Sequence, residues 1–222
     1  MSEPGAPPPA EVVEAVFPGA ADLATRYVEL LATTGVEWGL VGPRETGRLW
    51  ERHVFNSAAL ADLVDEDASV VDVGSGAGLP GIPLALRRPD LRVTLLEPLL
   101  RRATFLTQAV ESLGLADRVE VVRARAEDHR QTYDAVVSRA LAPLPRLLGW
   151  CLPLTARDGS VLALKGRTAP EELAESSADL RRQRLVAEVV SVRAHEGSEP
   201  ATVVRVHRFL VILPVARCWG AV

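Results

Sequence analysis

Val70-Val71-Asp72-Val73-Gly74-Ser75-Gly76-Ala77-Gly78-Leu79-Pro80-Gly81 reads as a buried β-strand that runs into a glycine-rich turn and then a helix. Glycines at such a turn let the chain reverse sharply and leave backbone N–H groups open to a ligand, with no Cβ in the way. A nucleotide-like ligand is implied. The spacing Gly76-x-Gly78-x-x-Gly81 also satisfies the dinucleotide fingerprint, so the glycines alone do not choose between a nicotinamide cofactor and S-adenosylmethionine.

Neighbouring acids sharpen the reading. Asp72 stands two residues before Gly74, at the strand end. A carboxylate there repels a pyrophosphate but attracts a cationic amino-acid moiety, which favours a sulfonium cofactor. Glu97 follows the next apolar run, Arg92 to Leu96, where an acidic side chain can accept both ribose hydroxyl protons in either cofactor class. After a third run, Ala126 and Glu127 offer backbone groups for an adenine ring.

Outward from this centre, short apolar runs alternate with helix-length segments, the signature of βαβ units and a mostly parallel sheet. The runs are Ser69 to Val73, Arg92 to Leu96, Val119 to Arg123, Ala135 to Ser138 and Ser160 to Lys165. Leu106, Ala109, Val110 and Leu113 repeat at helical spacing, and Gly114 sits where a C-terminal cap belongs. Leu185 to Val192 and Thr202 to His207 flank a Glu196-Gly197-Ser198-Glu199-Pro200 turn and predict an antiparallel strand pair. Upstream, a helix begins at Asp22 with Gly35 as its stop, and a second spans Glu45 to Ala61, with Leu49, His53, Asn56 and Leu60 on one face. The expected organisation is a flexible leader over 1–18, an N-terminal helical cap over 19–68, an α/β domain over 69–208 and an apolar tail over 209–222.

The composition excludes several classes. With 222 residues, 48% hydrophobic and 24% charged, the chain is a packed domain rather than a disordered one. The scattered Cys151, Cys218, His53, His129, His195 and His207 give no metal-ligand spacing, so no metal is expected, and two distant cysteines fit a reducing cytoplasm. The longest apolar runs are too short to span a bilayer, so no membrane partner is expected. The net charge of −4 argues against nucleic acid, but its distribution does not: 12 acidic and 4 basic residues precede Ser69, and 21 basic and 17 acidic follow.

The stretch after the fourth run narrows the chemistry. Methylation of an exocyclic amine calls for an Asn/Asp-Pro-Pro-aromatic turn, whereas this turn is Ser138-Arg139-Ala140-Leu141. Carbon methylation of a pyrimidine calls for a Cys nucleophile, and neither Cys has a Pro-Cys context. A nucleophile with its own lone pair fits better, such as guanine N7, for which catalysis is mostly positioning.

Arg52-His53-Val54-Phe55-Asn56-Ser57, the glycine stretch continued through Ile82-Pro83, Leu95-Leu96-Glu97, Ser138-Arg139-Ala140 and Leu164-Lys165-Gly166 occur in an order that resembles the RsmG family, also called GidB. That family comprises bacterial small-subunit ribosomal RNA guanine-N7 methyltransferases, and the likeness covers about Asp22 to His207. The resemblance implies a class I S-adenosylmethionine-dependent, Rossmann-like methyltransferase fold, with S-adenosyl-L-methionine as cofactor and 16S ribosomal RNA or the small ribosomal subunit as partner. It implies cofactor contacts at Gly74, Leu79, Ala126, Glu127 and Arg139. Asp72, Gly76, Gly78 and Glu97 join them on the reading above. Arg139, near where cofactor and base would meet, is the catalytic candidate. Arg52, His53 and Asn56 on the cap, with Lys165 and Arg167 after the fifth run, are candidate substrate contacts. A monomer is the working expectation. The alternatives are a nicotinamide oxidoreductase, supported by the literal glycine pattern, and a non-catalytic RNA-binding module on the same fold.

Overall fold

The computed structural model describes residues 7–139 and 141–208. The five apolar runs become β1 (Ser69–Val73), β2 (Arg92–Leu96), β3 (Val119–Val122), β4 (Tyr133–Arg139) and β5 (Thr155–Lys165), all mutually parallel. β6 (Leu185–Val192) and β7 (Ala201–Arg208) form the expected antiparallel pair, and β7 also runs antiparallel to β5. The seven-stranded sheet has the order β3-β2-β1-β4-β5-β7-β6. The helices are α1 (Ala10–Val16), α2 (Ala21–Leu30), α3 (Asn56–Ala58), α4 (Gly81–Arg87), α5 (Leu100–Ser112), α6 (Leu144–Cys151) and α7 (Ala169–Arg182).

Both faces of the sheet are covered, which is why its strands read as nearly continuous apolar runs rather than alternating ones. One face buries Val70, Val93, Leu95, Ala135, Val137 and Leu162 against the N-terminal segments, α4 and α5. The other buries Val71, Val73, Leu96, Val136 and Val161 against α6 and α7. From β1 the order runs outward one way to β2 and β3 and the other way to β4 and β5. The C-terminal ends of β1 and β4 therefore diverge at the switch point where open α/β sheets hold ligands. α5 ends as expected at Gly114, whose φ is +66°: Leu115 N–H donates to Val110 O and Gly114 N–H to Glu111 O, closing the last turn.

Two expectations need correction. The flexible leader assigned to 1–18 contains α1, which buries Val13 and Val16 in the core, as does Phe17 just after it, tilted against Phe55. The spacing of three apolar residues within a Pro-rich, Ala-rich stretch was too sparse to signal a helix whose stability comes from that packing. The single cap helix over Glu45 to Ala61 is instead a 3-10 turn (Pro43–Arg48), a π-helical turn (Leu49–Phe55), α3 and a second 3-10 turn (Ala59–Leu63). Leu49 and Leu60 are buried as predicted, but the carbonyl of His53 accepts from Ser57 Oγ at 2.6 Å and from Arg139 Nη1 at 3.4 Å, bonds from outside the regular ladder. The expected tail over 209–222 lies outside the described residues, as does Cys218. No helix among the described residues is long and apolar enough to cross a membrane.

Candidate active site

The glycine turn is held from beneath by Asp72. This carboxylate is fully buried, and its Oδ2 accepts from Ser75 Oγ at 2.7 Å and from Gly81 N–H at 3.0 Å, tying both ends of the turn to β1. Its Oδ1 is buried with no partner. Burial raises the Asp72 carboxyl to about 7, against the two hydrogen bonds that favour the anion and with the help of the nearby Glu97 charge. The sequence places Asp72 as an ionised group open to a ligand; the structure makes it first a brace for the turn, with one oxygen in reserve.

Gly74 lies at φ +71°, a conformation that costs an L side chain of order 1 kcal/mol or more. A Cβ there would sit 2.5 Å from Leu141 Cδ1, so the space beside Gly74 is covered by the segment following β4. Gly76 and Gly78 also have positive φ. Leu79 is half-buried and packs on the core at the head of α4. From the cap side, the buried Tyr27 hydroxyl donates to Ala77 O at 2.8 Å, fixing α2 to the turn.

Glu97 at the end of β2 is 1% exposed and accepts from Gly76 N–H and from Leu99 N–H, both at 3.0 Å. Each carboxylate oxygen therefore already orients one peptide and keeps further acceptor capacity. Beyond β3, Ala126–Asp128 forms a 3-10 turn in which Ala126 is half-buried and Glu127 exposed. Asp72, the glycines, Glu97, Ala126 and Glu127 thus lie along one edge of the sheet, at the C-terminal ends of β1, β2 and β3.

Most of the other predicted residues gather in a groove that Ala142 of the post-β4 segment also lines. Arg52, Asn56, Arg139, Lys165 and Arg167 line one groove of about 1370 Å3, with Arg48 and Glu51 on the cap wall and Glu199 to Thr202 opposite. Arg139 is half-buried. Its Nη2 lies 2.7 Å from His53 Nδ1, while His53 Nε2 lies 2.9 Å from Glu45 Oε2. A guanidinium only donates, so Nδ1 is the acceptor and Nε2 carries the proton given to Glu45. Burial and the Arg139 charge hold His53 below its ordinary value, and the bond from His53 holds Glu45 below its own.

Two residues expected to contact substrate are otherwise engaged. Both ring nitrogens of His53 are taken, so this side chain works on its neighbours. Lys165 Nζ turns inward to Ala142 O at 2.7 Å and to Glu172 Oε2 at 2.8 Å, and Glu172 also accepts from Leu144 N–H at 3.1 Å. That cluster latches the post-β4 segment to β5 and α7. Arg52 and Arg167 are exposed, and Asn56 donates to Arg52 O. Sequence reasoning missed Glu45, Leu141 and Glu172. Their partners lie 8, 67 and 7 residues away and no local periodicity links them. Tyr27 belongs with them: its hydroxyl, the one polar group on a buried ring, was the available signal.

Comparison with known proteins decides the family. Residues 21–200 match the GidB family, described as rRNA small subunit methyltransferase G. The chain belongs to this family. It is 53% identical over 204 residues to the ribosomal RNA small subunit methyltransferase G of Kineococcus radiotolerans, covering 90% of this chain and 80% of that one. To the Streptomyces coelicolor protein of the same name it is 54% identical, covering 90% and 85%. Among solved structures, a precorrin-6y C5,15-methyltransferase from Geobacter metallireducens superposes with a TM-score of 0.52 at 16% identity, covering 77% of this chain and 91% of that chain, a likeness of fold. The GidB match spans the glycine turn, strands β1 to β6 and the groove lining up to Pro200.

Proposed function

We infer that this GidB-family chain transfers a methyl group from S-adenosylmethionine to small-subunit ribosomal RNA, and we propose that the acceptor atom is a guanine N7. The observation that carries the reading is the meeting of two surfaces at the post-β4 segment: Leu141 lies against the glycine turn, while Arg139 and Ala142 line the basic groove. A donor on one side and a nucleic-acid strand on the other would share that boundary.

The residues present suit the cofactor. The partnerless Asp72 Oδ1 is a buried acceptor of the kind that favours a cationic ligand over a pyrophosphate, which weighs against a nicotinamide cofactor. Gly74, Gly76, Gly78 and Leu79 would hold the amino-acid end, Glu97 the ribose hydroxyls, and the Ala126 and Glu127 backbone the adenine. When bound, S-adenosylmethionine supplies an electrophilic methyl group on a sulfonium, which needs only an aligned lone pair to leave as a transferred methyl. What this chain contributes is therefore alignment and exclusion of competing geometries.

The side chains present agree with a lone-pair nucleophile. Cys151 is fully buried and burial pushes its thiol up to about 12, so among the described residues no thiolate is available to activate a pyrimidine carbon. N7 of guanine needs no proton removed before attack. Arg139 and the exposed Arg52 and Arg167 offer donors to guanine O6 or to phosphate. The test is transfer of labelled methyl from S-adenosylmethionine to unmodified small-subunit RNA and particles, followed by nucleoside analysis. Label in 7-methylguanosine supports the reading. Label in another nucleoside overturns the acceptor assignment, and no label in any substrate overturns the reaction.

A further inference from the structure

Arg139 lines the groove and is held from behind by His53. Its Nη2 donates to His53 Nδ1 at 2.7 Å and its Nη1 to His53 O at 3.4 Å, while its other N–H groups have no protein acceptor among the described residues. His53 in turn donates through Nε2 to Glu45, whose side chain is 34% exposed against 13% for His53. The three residues come from the 3-10 turn Pro43–Arg48 of the cap, the π-helical turn that follows it and the end of β4. The π-helical turn is the irregularity that brings the His53 carbonyl and ring to the same guanidinium, and such turns recur where function requires a displaced backbone.

We propose that Glu45 and His53 are positioning residues that aim the Arg139 guanidinium into the groove, and that they do so only while His53 is neutral. This rests on the function proposed above. The carboxylate of Glu45 fixes the tautomer that leaves Nδ1 unprotonated, and only that nitrogen can accept from Arg139. Adding a proton to Nδ1 replaces the acceptor with a donor facing a cation. The charged groups facing the ring are Glu45 from the preceding turn, Arg139 from β4 and Arg52 from its own turn; the two arginines oppose protonation and Glu45 favours it. Acidification through the His53 titration would therefore release Arg139 from its aim without unfolding the sheet.

The test combines a spectroscopic and a kinetic measurement on the full chain. Nitrogen-15 histidine spectra of the wild type should show His53 as the Nε2–H tautomer, and Arg139→Ala should move its titration upward toward the ordinary histidine value. A wild-type Nδ1–H tautomer, or a titration indifferent to Arg139→Ala, would overturn the relay whether or not the chain proves to be a methyltransferase. In methyl transfer at saturating cofactor and RNA, His53→Ala should lower kcat by about tenfold or more, the scale of one lost charge-assisted hydrogen bond. The double variant with Arg139→Ala should be no slower than Arg139→Ala alone. Glu45→Gln keeps an acceptor for Nε2–H, so it should retain most of kcat while its acid limb moves to lower pH. Additive losses in the double variant, or an acid limb unmoved by Glu45→Gln, would refute the positioning role. A wild-type-like circular dichroism spectrum and cooperative urea unfolding, retained in each variant, show that the fold is intact. A wild type that binds cofactor but transfers no methyl group counts against the function and leaves the spectra to decide the relay.

Discussion

The glycine turn after β1 and the basic groove beyond β4 lie on the same edge of one sheet, yet they are built in opposite ways. The turn is held mainly by partners close in sequence: Asp72 binds Ser75 and Gly81, and Glu97 reaches back to Gly76. The groove is assembled from the cap, the post-β4 segment, the end of β5 and the approach to β7, joined by Arg139 to His53 across 86 residues and by Lys165 to Ala142 across 23. A locally determined cradle is set by a short motif, whereas a surface made from distant segments depends on every contact that brings them together. Substitutions in the turn should therefore act on ligand affinity first, and substitutions around the groove on the joint between segments.

The largest effect is expected at Gly74. A valine there meets Leu141 and a backbone at φ +71°, so Gly74→Val should cut S-adenosylmethionine affinity by about 100-fold or more, read by calorimetry. Affinity within a few-fold of wild type would show that the turn does not hold the cofactor. Next is Asp72, protonated in the folded chain up to about 7 but ionising near 3.8 once unfolded. The folded state therefore loses stability as pH rises from about 4 through about 7, and Asp72→Asn should remove that loss, on the order of 4 kcal/mol at pH 8. The same variant should bind cofactor more weakly. Urea unfolding at pH 5 and pH 8 tests the first part, and equal pH dependence in both proteins would contradict it.

On the groove side, Lys165→Met breaks the latch on Ala142 and leaves Glu172 without its cation. The expected destabilisation is about 1 to 3 kcal/mol by urea unfolding, with RNA affinity falling less than in Arg167→Ala. A larger fall in RNA affinity for Lys165→Met would return Lys165 to the substrate surface. The smallest effect belongs to Tyr27→Phe, which leaves the ring in the core and deletes one buried hydrogen bond to the turn, costing about 1 kcal/mol. A neutral result would mean that α2 is fixed to the turn by packing alone.

The same contrast explains what could be read from the chain. The five parallel strands, the antiparallel pair and the Gly114 cap were legible because apolar runs, turn residues and helix periodicity are local signals. β4 and β5 begin earlier than their apolar runs because Tyr133 pairs with Thr155, a ladder partner invisible in either segment. α1 was missed because its burial depends on Phe55 and the rest of the cap. The structure brings Arg52, Asn56, Arg139 and Arg167, singled out in three separate stretches, to the wall of one groove, a meeting that no local pattern announces. Lys165 and His53 carry the right chemistry for that surface, but the acids that engage them, Glu172 and Glu45, are set by the folded geometry.

The most direct test of a cofactor cradle and an RNA groove meeting at the post-β4 segment is a crystal structure with S-adenosylhomocysteine bound. The ribose is predicted at Glu97, the amino-acid end over Gly74 to Leu79, and the sulfur directed toward the Arg139 side of the groove. Ligand density elsewhere on the chain, or a sulfur facing away from that groove, would contradict the account.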